Sequence, residues 1–276
     1  MDVLRIAAFS KGNQGGNPAG VLISQQLPTA EEMQRIAAQV GFSETVFAMP
    51  DGESWRVRYF APETEVAFCG HATIALGAAL AMREGDGRFV LKLNHGAIEV
   101  TGRKEGELFA ASLLSPPTRN RAATKVEVEQ ALNLFNYELE DLTPSIRPAL
   151  IHAGADHIVL PLRSREKLAA MHYDLSRGRV LMNRQGWTTI LLIYAETSRR
   201  FHSRNPFAAG GIYEDPATGA ATAAFAAYLR DIGWPHEGAI EVFQGEDMGM
   251  PSHLNAQIGT IRGEAIRVWG TARLME

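Results

Sequence analysis

The chain is expected to be an α+β protein of two similar lobes, each a mainly antiparallel sheet wrapped around a central helix. Three observations predict this. The run from Pro216 to Leu229 carries no charge, so a helix there is buried nearly all round. A second uncharged run, Cys69 to Met82, lies half a chain earlier and opens in a similar way. Around both, short strand-like segments follow one another through glycine turns instead of alternating with amphipathic helices, which argues against a doubly wound sheet.

The later run sits between Gly210 and Gly233. Asp215 is a suitable N-cap, since its carboxylate can accept from the free amides of a first helical turn. Pro216 suits the first helical position, where a missing N–H costs nothing, and Gly233 can take the left-handed conformation that closes a helix. At roughly 20 Å the helix is too short to span a bilayer. The earlier run opens Cys69-Gly70-His71-Ala72-Thr73 and is followed by Gly85. Laid over Glu214-Asp215-Pro216-Ala217-Thr218, both blocks read Ala-Thr ahead of small residues. Arg58 and Pro62 precede the first block, Arg204 and Pro206 the second, so an internal repeat of two lobes facing each other is expected.

With 276 residues, the chain can bury a large core, and 46% hydrophobic with 21% charged residues is a globular composition. A net charge of −4 without a Lys/Arg cluster leaves no electrostatic footprint for nucleic acid. The start, Met1-Asp2-Val3-Leu4-Arg5, has no secretion-signal pattern, so the cytoplasm is the default expectation, with no membrane partner. One cysteine excludes an intrachain disulfide and a cysteine-based zinc site.

In order, Val3 to Phe9 and Val21 to Ile23 read as strands around a glycine-rich turn, residues 12–20. That turn has neither the G-x-G-x-x-G order nor a Walker Lys-Ser/Thr, so no nucleotide cofactor is expected there. Thr29 to Glu32 is a capping box opening a helix that ends at Gly41. Phe42 to Met49 and Trp55 to Phe60 are strands. Phe89 to Leu93, Ala97 to Thr101 and Leu108 to Leu113 form an antiparallel run. Ser115 to Asn120 is the best linker, dividing an N-terminal lobe (1–117) from a C-terminal lobe (118–276) whose last strand is free to return to the first. The second lobe opens with a helix capped by Thr124 and Glu127. It continues through strands at 149–153 and 158–161, helices near 165–171 and 175–185, strands at 188–194 and 200–204, the central helix, and strands at 240–243, 256–262 and 266–274.

In a strand, Phe42, Glu44, Val46 and Ala48 share one face, and Glu44 is the only charge on it. If that face is the core, Glu44 is a carboxyl tuned for general acid/base work. If the face is wet, Glu44 is an ordinary surface residue. Cys69 is similarly either a small buried residue or a thiolate at a helix start. Among the other histidines, His95, His152, His157, His202, His236 and His253 show no metal-ligand spacing, and no arrangement suggests a metal. No G-x-S-x-G elbow supports serine hydrolysis.

Several stretches together resemble the phenazine-biosynthesis PhzF-like family of the diaminopimelate-epimerase-like fold. They are Gly16-Asn17-Pro18, Ser43-Glu44-Thr45, Arg58-Tyr59-Phe60-Ala61-Pro62, Phe68-Cys69-Gly70-His71-Ala72-Thr73, Gly211 to Gly219, and Gln244-Gly245. The resemblance implies a cofactor-free isomerase, active by proton transfer on a small carboxylated metabolite, with a cyclic amino acid as the founding substrate. It implies that Glu44 moves the proton between carbons, and that His71 and Asp215 contact substrate polar groups. The amides at Gly70 and Gly219 would hold a carboxylate. Asn17, Cys69 and Ala220 are further candidates, and a homodimer is implied by resemblance only.

Two residues depart from the phenazine enzymes' pattern. Ala220 stands where a serine is common, and Met250-Pro251-Ser252 where Arg-Pro-Ser is common. Related racemases use two thiols, which the single cysteine excludes; Glu214-Asp215 is expected at the position of the second. The alternative expectation is a non-catalytic or regulatory small-molecule binding protein on the same fold.

Overall fold

The computed structural model describes residues 2–276, which form two compact units. One comprises the described residues up to Leu114 together with Trp269–Glu276, and the other Ser115–Val268. The architecture is α+β, as the sequence predicts: both units are mainly antiparallel sheets around one buried helix.

The first unit contains β1 (Leu4–Ser10), β2 (Asn17–Ile23), α1 (Ala30–Val40), β3 (Thr45–Asp51), β4 (Ser54–Phe60), the short β5 (Glu65–Val66), α2 (Gly70–Glu84), β6 (Gly87–Lys92), β7 (Ala97–Glu105) and β8 (Leu108–Leu114). The hydrogen-bonded order is β1-β2-β3-β4-β6-β7-β8. The last strand of the chain, Arg267–Leu274, begins at the end of the second unit, pairs with both β8 and β1 and closes the ring. Inside it, His71 to Ala81 of α2 are all buried, because small residues let strands close on the helix from several sides. The tightest approach is between Gly77 and Gly102. A methyl at Gly102 would overlap the Gly77 carbonyl, and one at Gly77 would lie 2.6 Å from Val100 Cγ2. Outside the ring, α1 follows the Thr29/Glu32 capping box and packs Met33 and Ala37 on Leu22, Phe47 and Phe60.

The second unit contains β9 (Arg119–Ala122), α3 (Lys125–Phe135), β10 (Ala149–His152), β11 (Asp156–Leu162), α4 (Arg165–Ala169), α5 (Leu175–Gln185), β12 (Thr189–Ala195), β13 (Arg200–Arg204), the short pair β14 (Pro206–Phe207) and β15 (Ile212–Glu214), α6 (Gly219–Asp231), β16 (Ala239–Gln244) and β17 (Ser252–Gln257); the ring-closing strand of the first unit is β18. Its main sheet runs β9-β10-β11-β12-β13-β16-β17. Helix α6, buried from Ala221 to Leu229, packs on β9, β10, β11, β16 and β17. A separate apolar layer of Phe135, Leu160, Met182, Trp187 and Leu192 joins the remaining helices to the sheet.

The two units repeat one pairing pattern. In the first, β2–β3 and β4–β6 are the parallel pairs, the second of these bridged by α2. In the second, β11–β12 and β13–β16 are parallel, and α6 bridges the latter. The register of the repeat differs from the Ala-Thr match in the sequence. Both helices begin at a glycine, Gly70 and Gly219, so the N-cap residues Cys69 and Thr218 correspond. Thr218 therefore holds the N-cap position in the second unit that Cys69 holds in the first.

Four further expectations are corrected. Asp215 does not cap α6 and Pro216 does not begin it; the helix starts at Gly219 after an extended turn. Asn17 to Gly20 belong to β2 and not to the glycine turn, because they pair with β1. The linker read at 115–120 runs into β9, whose strand character depends on pairing with β10. The strand expected at 256–262 lies at Ser252–Gln257, ahead of a turn carrying Gly263 at φ +81. Among the described residues, no helix is long and apolar enough to cross a membrane.

Candidate functional site

In the first unit, α1 ends at Gly41, whose φ of +73 turns the chain back toward the sheet. Phe42, Ser43 and Glu44 follow, and β3 begins only at Thr45. Glu44 is therefore not a member of an alternating strand face. Thr45, Val46, Phe47 and Ala48 are all fully buried, since α1 covers one side of β3 and α2 touches it from the other. The glutamate is held by its backbone: its carbonyl accepts from Gly20 N at 3.2 Å. Gly20 must be glycine for this approach, because a Cβ there would lie 2.6 Å from Thr45 Oγ1.

The Glu44 side chain meets the start of α2. Its Oε2 lies 3.5 Å from His71 Nε2, with side-chain exposures of 17% and 9%. Ser43 Oγ is 3.4 Å from the same nitrogen. On the other side of the ring, Cys69 Sγ lies 3.3 Å from Nδ1. Cys69 makes no side-chain capping bond to α2; its thiol turns to the imidazole. A methyl at Gly70 would meet nothing within 4 Å, so there is open space beside the Cα of the residue that starts the helix. Thr73 Oγ1 donates to the Cys69 carbonyl at 2.7 Å and contacts the buried Tyr59 hydroxyl, which fixes the helix start from beneath. Burial pushes the Tyr59 phenol well above its ordinary range, so it remains a neutral hydrogen-bonding group.

Glu44, Cys69 and His71 thus form one cluster, their donor atoms all within 4.8 Å of one another. The thiol and the carboxylate flank opposite nitrogens of the His71 ring, Sγ at Nδ1 and Oε2 at Nε2. Cys-Gly-His has no ligand spacing by itself, and the third donor comes from a loop that only the fold brings near. Arg58, by contrast, is engaged with Glu65 by paired bonds of 2.8 and 2.6 Å. Asn17 is buried at the start of β2, opposite Ala8.

The second unit builds a different set around α6. Asp215 is buried, and its Oδ2 accepts from Thr218 Oγ1 at 2.5 Å. The carboxylate spans the turn before the helix instead of capping the helix amides. Gln244, fully buried at the end of β16, locks this turn. Its Nε2 donates to the Asp215 carbonyl at 2.6 Å and to Thr218 Oγ1 at 3.0 Å, and its Oε1 accepts from Thr218 N at 3.3 Å. Next to it, Gly245 has φ +76, and a Cβ there would lie 2.9 Å from the Pro216 carbonyl oxygen. Gly219 and Ala220, at the opening of α6, are half-buried. Below the turn, Arg204 grips Glu214 with bonds of 3.0 and 2.5 Å and donates to the Ala169 and Met171 carbonyls. The atom pairing repeats that of Arg58 and Glu65, so each unit braces its helix entrance with one bidentate ion pair.

Sequence reasoning did not assign roles to Ser43, Thr218 or Gln244. The only signal for the last was the Gln244-Gly245 dipeptide, where a glycine of forced conformation follows a polar residue ending a strand.

The chain matches the sequence profile of the PhzC-PhzF family, "Phenazine biosynthesis-like protein", over residues 6–276. It is 32% identical to trans-2,3-dihydro-3-hydroxyanthranilate isomerase of Pseudomonas fluorescens, over 91% of this chain and 88% of that one. It is 33% identical to an "uncharacterized isomerase" of Deinococcus radiodurans, over 97% and 90%. The crystal structure of the PhzF-family phenazine biosynthesis protein of Bacillus anthracis shares the fold, with a TM-score of 0.88 at 23% identity and coverage of 99% and 96%.

Proposed function

Because the chain belongs to the phenazine biosynthesis-like family of isomerases, we propose that it moves a proton between carbons of a small carboxylated metabolite, without a cofactor. A cyclic amino acid fits this reading, as the name of the Pseudomonas fluorescens relative suggests for that protein. Glu44 is the proton carrier in this scheme. The observation that carries it is the 3.5 Å approach of its Oε2 to His71 Nε2, on a carboxyl that keeps some exposure.

Proton transfer to and from carbon needs a base within reach of the carbon and something to hold the negative charge that develops. Glu44 supplies the base. His71, tied to Ser43 and Cys69, orients the carboxylate and presents a polar edge to substrate. The amides opening α2 at Gly70 are oriented to favour an anion, worth roughly 0.3–1 kcal/mol at an exposed helix end and more in a dry site. Asp215 and the Gly219 amide are assigned to substrate polar groups, with Gln244 keeping their turn in shape. Ala220 offers no hydroxyl, so this substrate is bound without a donor at that position.

The test is exchange of carbon-bound hydrogen with deuterated solvent across a panel of cyclic and acyclic amino acids. Exchange by the wild-type protein that disappears in Glu44→Gln supports the proposal. Tight binding of a panel member without exchange supports instead a binding protein on this fold, for which the absent hydroxyl at Ala220 is the motivating observation.

A further inference from the structure

A buried carboxamide lies beside the start of α6 without a protein partner. Asn205 is fully buried, and neither its Oδ1 nor its Nδ2 has a hydrogen-bond partner among the described residues. A carboxamide carries an acceptor oxygen and two N–H donors, and enclosing it dry costs its full hydration. Its direction follows from the strand before it. Along β13, Phe201 packs edge-on against Phe225 of α6, ring centroids 5.1 Å apart, and Ser203 Oγ donates to Gln244 Oε1 at 3.4 Å. Arg204 turns the other way, to Glu214 and the Ala169 and Met171 carbonyls. Alternation puts Asn205 on the Phe201–Ser203 face, one step nearer the opening of α6. Its backbone carbonyl accepts from Asp215 N at 3.0 Å, which holds it beneath the turn that leads into the helix.

The first unit fills the corresponding place with a phenol. Arg58 and Arg204 make matching ion pairs, so Tyr59 and Asn205 correspond. Thr73 and Thr222, the fourth residues of α2 and α6, correspond as well, and each donates its amide to the N-cap carbonyl at 3.0 Å. Tyr59 Oη lies 2.7 Å from Thr73 Oγ1. An asparagine side chain is shorter than a tyrosine by most of a ring, so Asn205 does not repeat that bond.

We propose that Asn205 binds one buried water, which takes the place of the tyrosine hydroxyl and joins the carboxamide to the Thr222 hydroxyl beneath the first turn of α6. Both residues are buried and polar, the setting in which internal waters make about three bonds each. Water donates and accepts, so it matches either end of the carboxamide. Thr218 makes no side-chain bond to the amides of α6, so the helix start is braced from below and not by a cap. Asn205 is thereby a positioning residue for the Thr218–Gly219 segment. The positioning clause rests on the proposed function; the hydration clause does not.

Asn205→Leu keeps the shape of the side chain and removes its polar atoms, so the sign of its effect is diagnostic. A dry carboxamide would be relieved by the change and the urea midpoint would rise; a carboxamide bonded to water loses that bond and the midpoint falls. The expected result is a lower midpoint. In the exchange assay KM is expected to rise about two- to tenfold, the worth of one hydrogen bond, with a smaller change in kcat. A crystal structure of the wild-type protein is expected to show a water within hydrogen-bond distance of Asn205 and Thr222. An unchanged or raised midpoint in Asn205→Leu, or a wild-type crystal structure without that water, overturns the hydration site. A lowered midpoint with KM unchanged overturns the positioning clause alone. Absence of exchange by the wild type rejects the proposed function and the positioning clause with it, while the midpoint and the crystal structure still decide the water.

Discussion

Gln244 and Thr218 hold each other through both ends of the amide: Nε2 donates to the threonine hydroxyl at 3.0 Å, and Oε1 accepts from its backbone nitrogen at 3.3 Å. The amide also reaches the Asp215 carbonyl, so one fully buried side chain sets the turn ahead of α6. Gln244→Ala leaves a buried carbonyl and amide unpaired, at about 1–3 kcal/mol each. Chemical denaturation is expected to show a loss of about 2–4 kcal/mol. In the exchange assay the variant should raise KM more than it lowers kcat, since it disturbs groups assigned to binding.

Glu44→Gln preserves shape and removes the proton carrier. A positioned acid/base contributes about 10²–10⁴-fold, so kcat is expected to fall by at least about a thousandfold with the melting temperature nearly unchanged. His71→Asn should lower the rate less, by about 10–100-fold, since it orients the carboxylate. A rate in Glu44→Gln within tenfold of wild type would remove the carboxyl from its assigned role.

The buried ion pair of Arg204 and Glu214 offers a contrast with surface pairs. Arg204→Met strands a carboxylate that is 6% exposed, and breaking such a pair costs about 3–5 kcal/mol. Breaking the exposed Lys92–Asp51 pair, by Lys92→Met, should cost less than about 1 kcal/mol. Urea midpoints of the two variants test the difference.

Gly102→Ala places a methyl against the Gly77 carbonyl and within 3.0 Å of Ala81 Cβ. Backbone stands on the other side, so the contact cannot be relieved by a rotamer change. The expected loss is about 3 kcal/mol or more. Gly52→Ala, at a surface turn, meets only the milder cost of its positive φ.

His157 gives a pH dependence with a definite sign. Burial lowers its pKa from 6.5 to about 3, and its Nδ1 lies 2.7 Å from Thr189 Oγ1. The unfolded chain takes up the proton below about pH 6.5 while the native protein does not. Stability is therefore full above pH 6.5 and declines as pH falls toward 3, at up to about 1.4 kcal/mol per unit. His157→Gln should flatten the acid limb of a stability-versus-pH curve.

Local chemistry explains which parts of this fold were legible beforehand. The capping boxes at Thr29/Glu32 and Thr124/Glu127 place α1 and α3 correctly, because side chain and backbone satisfy each other within one turn. Uncharged runs reveal α2 and α6, because burial on all sides tolerates no charge. Asp215-Pro216 misleads by the same kind of rule: it offers a good helix start, but Gln244 and Gly245, from a distant strand, draw the segment into an extended turn. Strand β3 defeats period-two reasoning, since helices lie against both of its sides. At the candidate site, the Ser-Glu-Thr and Cys-Gly-His motifs were visible separately. Their meeting at His71 depends on Gly20 letting β2 approach Thr45, which no local pattern records.

The closing of the first ring by β18 sets an order on biosynthesis. A ribosome making this chain releases seven of the eight main strands early and must then complete another 154-residue body, Ser115–Val268, before the last one emerges. Until then β1 and β8 keep unsatisfied edges. Open edges of this kind are templates for pairing with other strands until the chain is complete, and shortening the chain before Trp269 would injure its beginning, not its end.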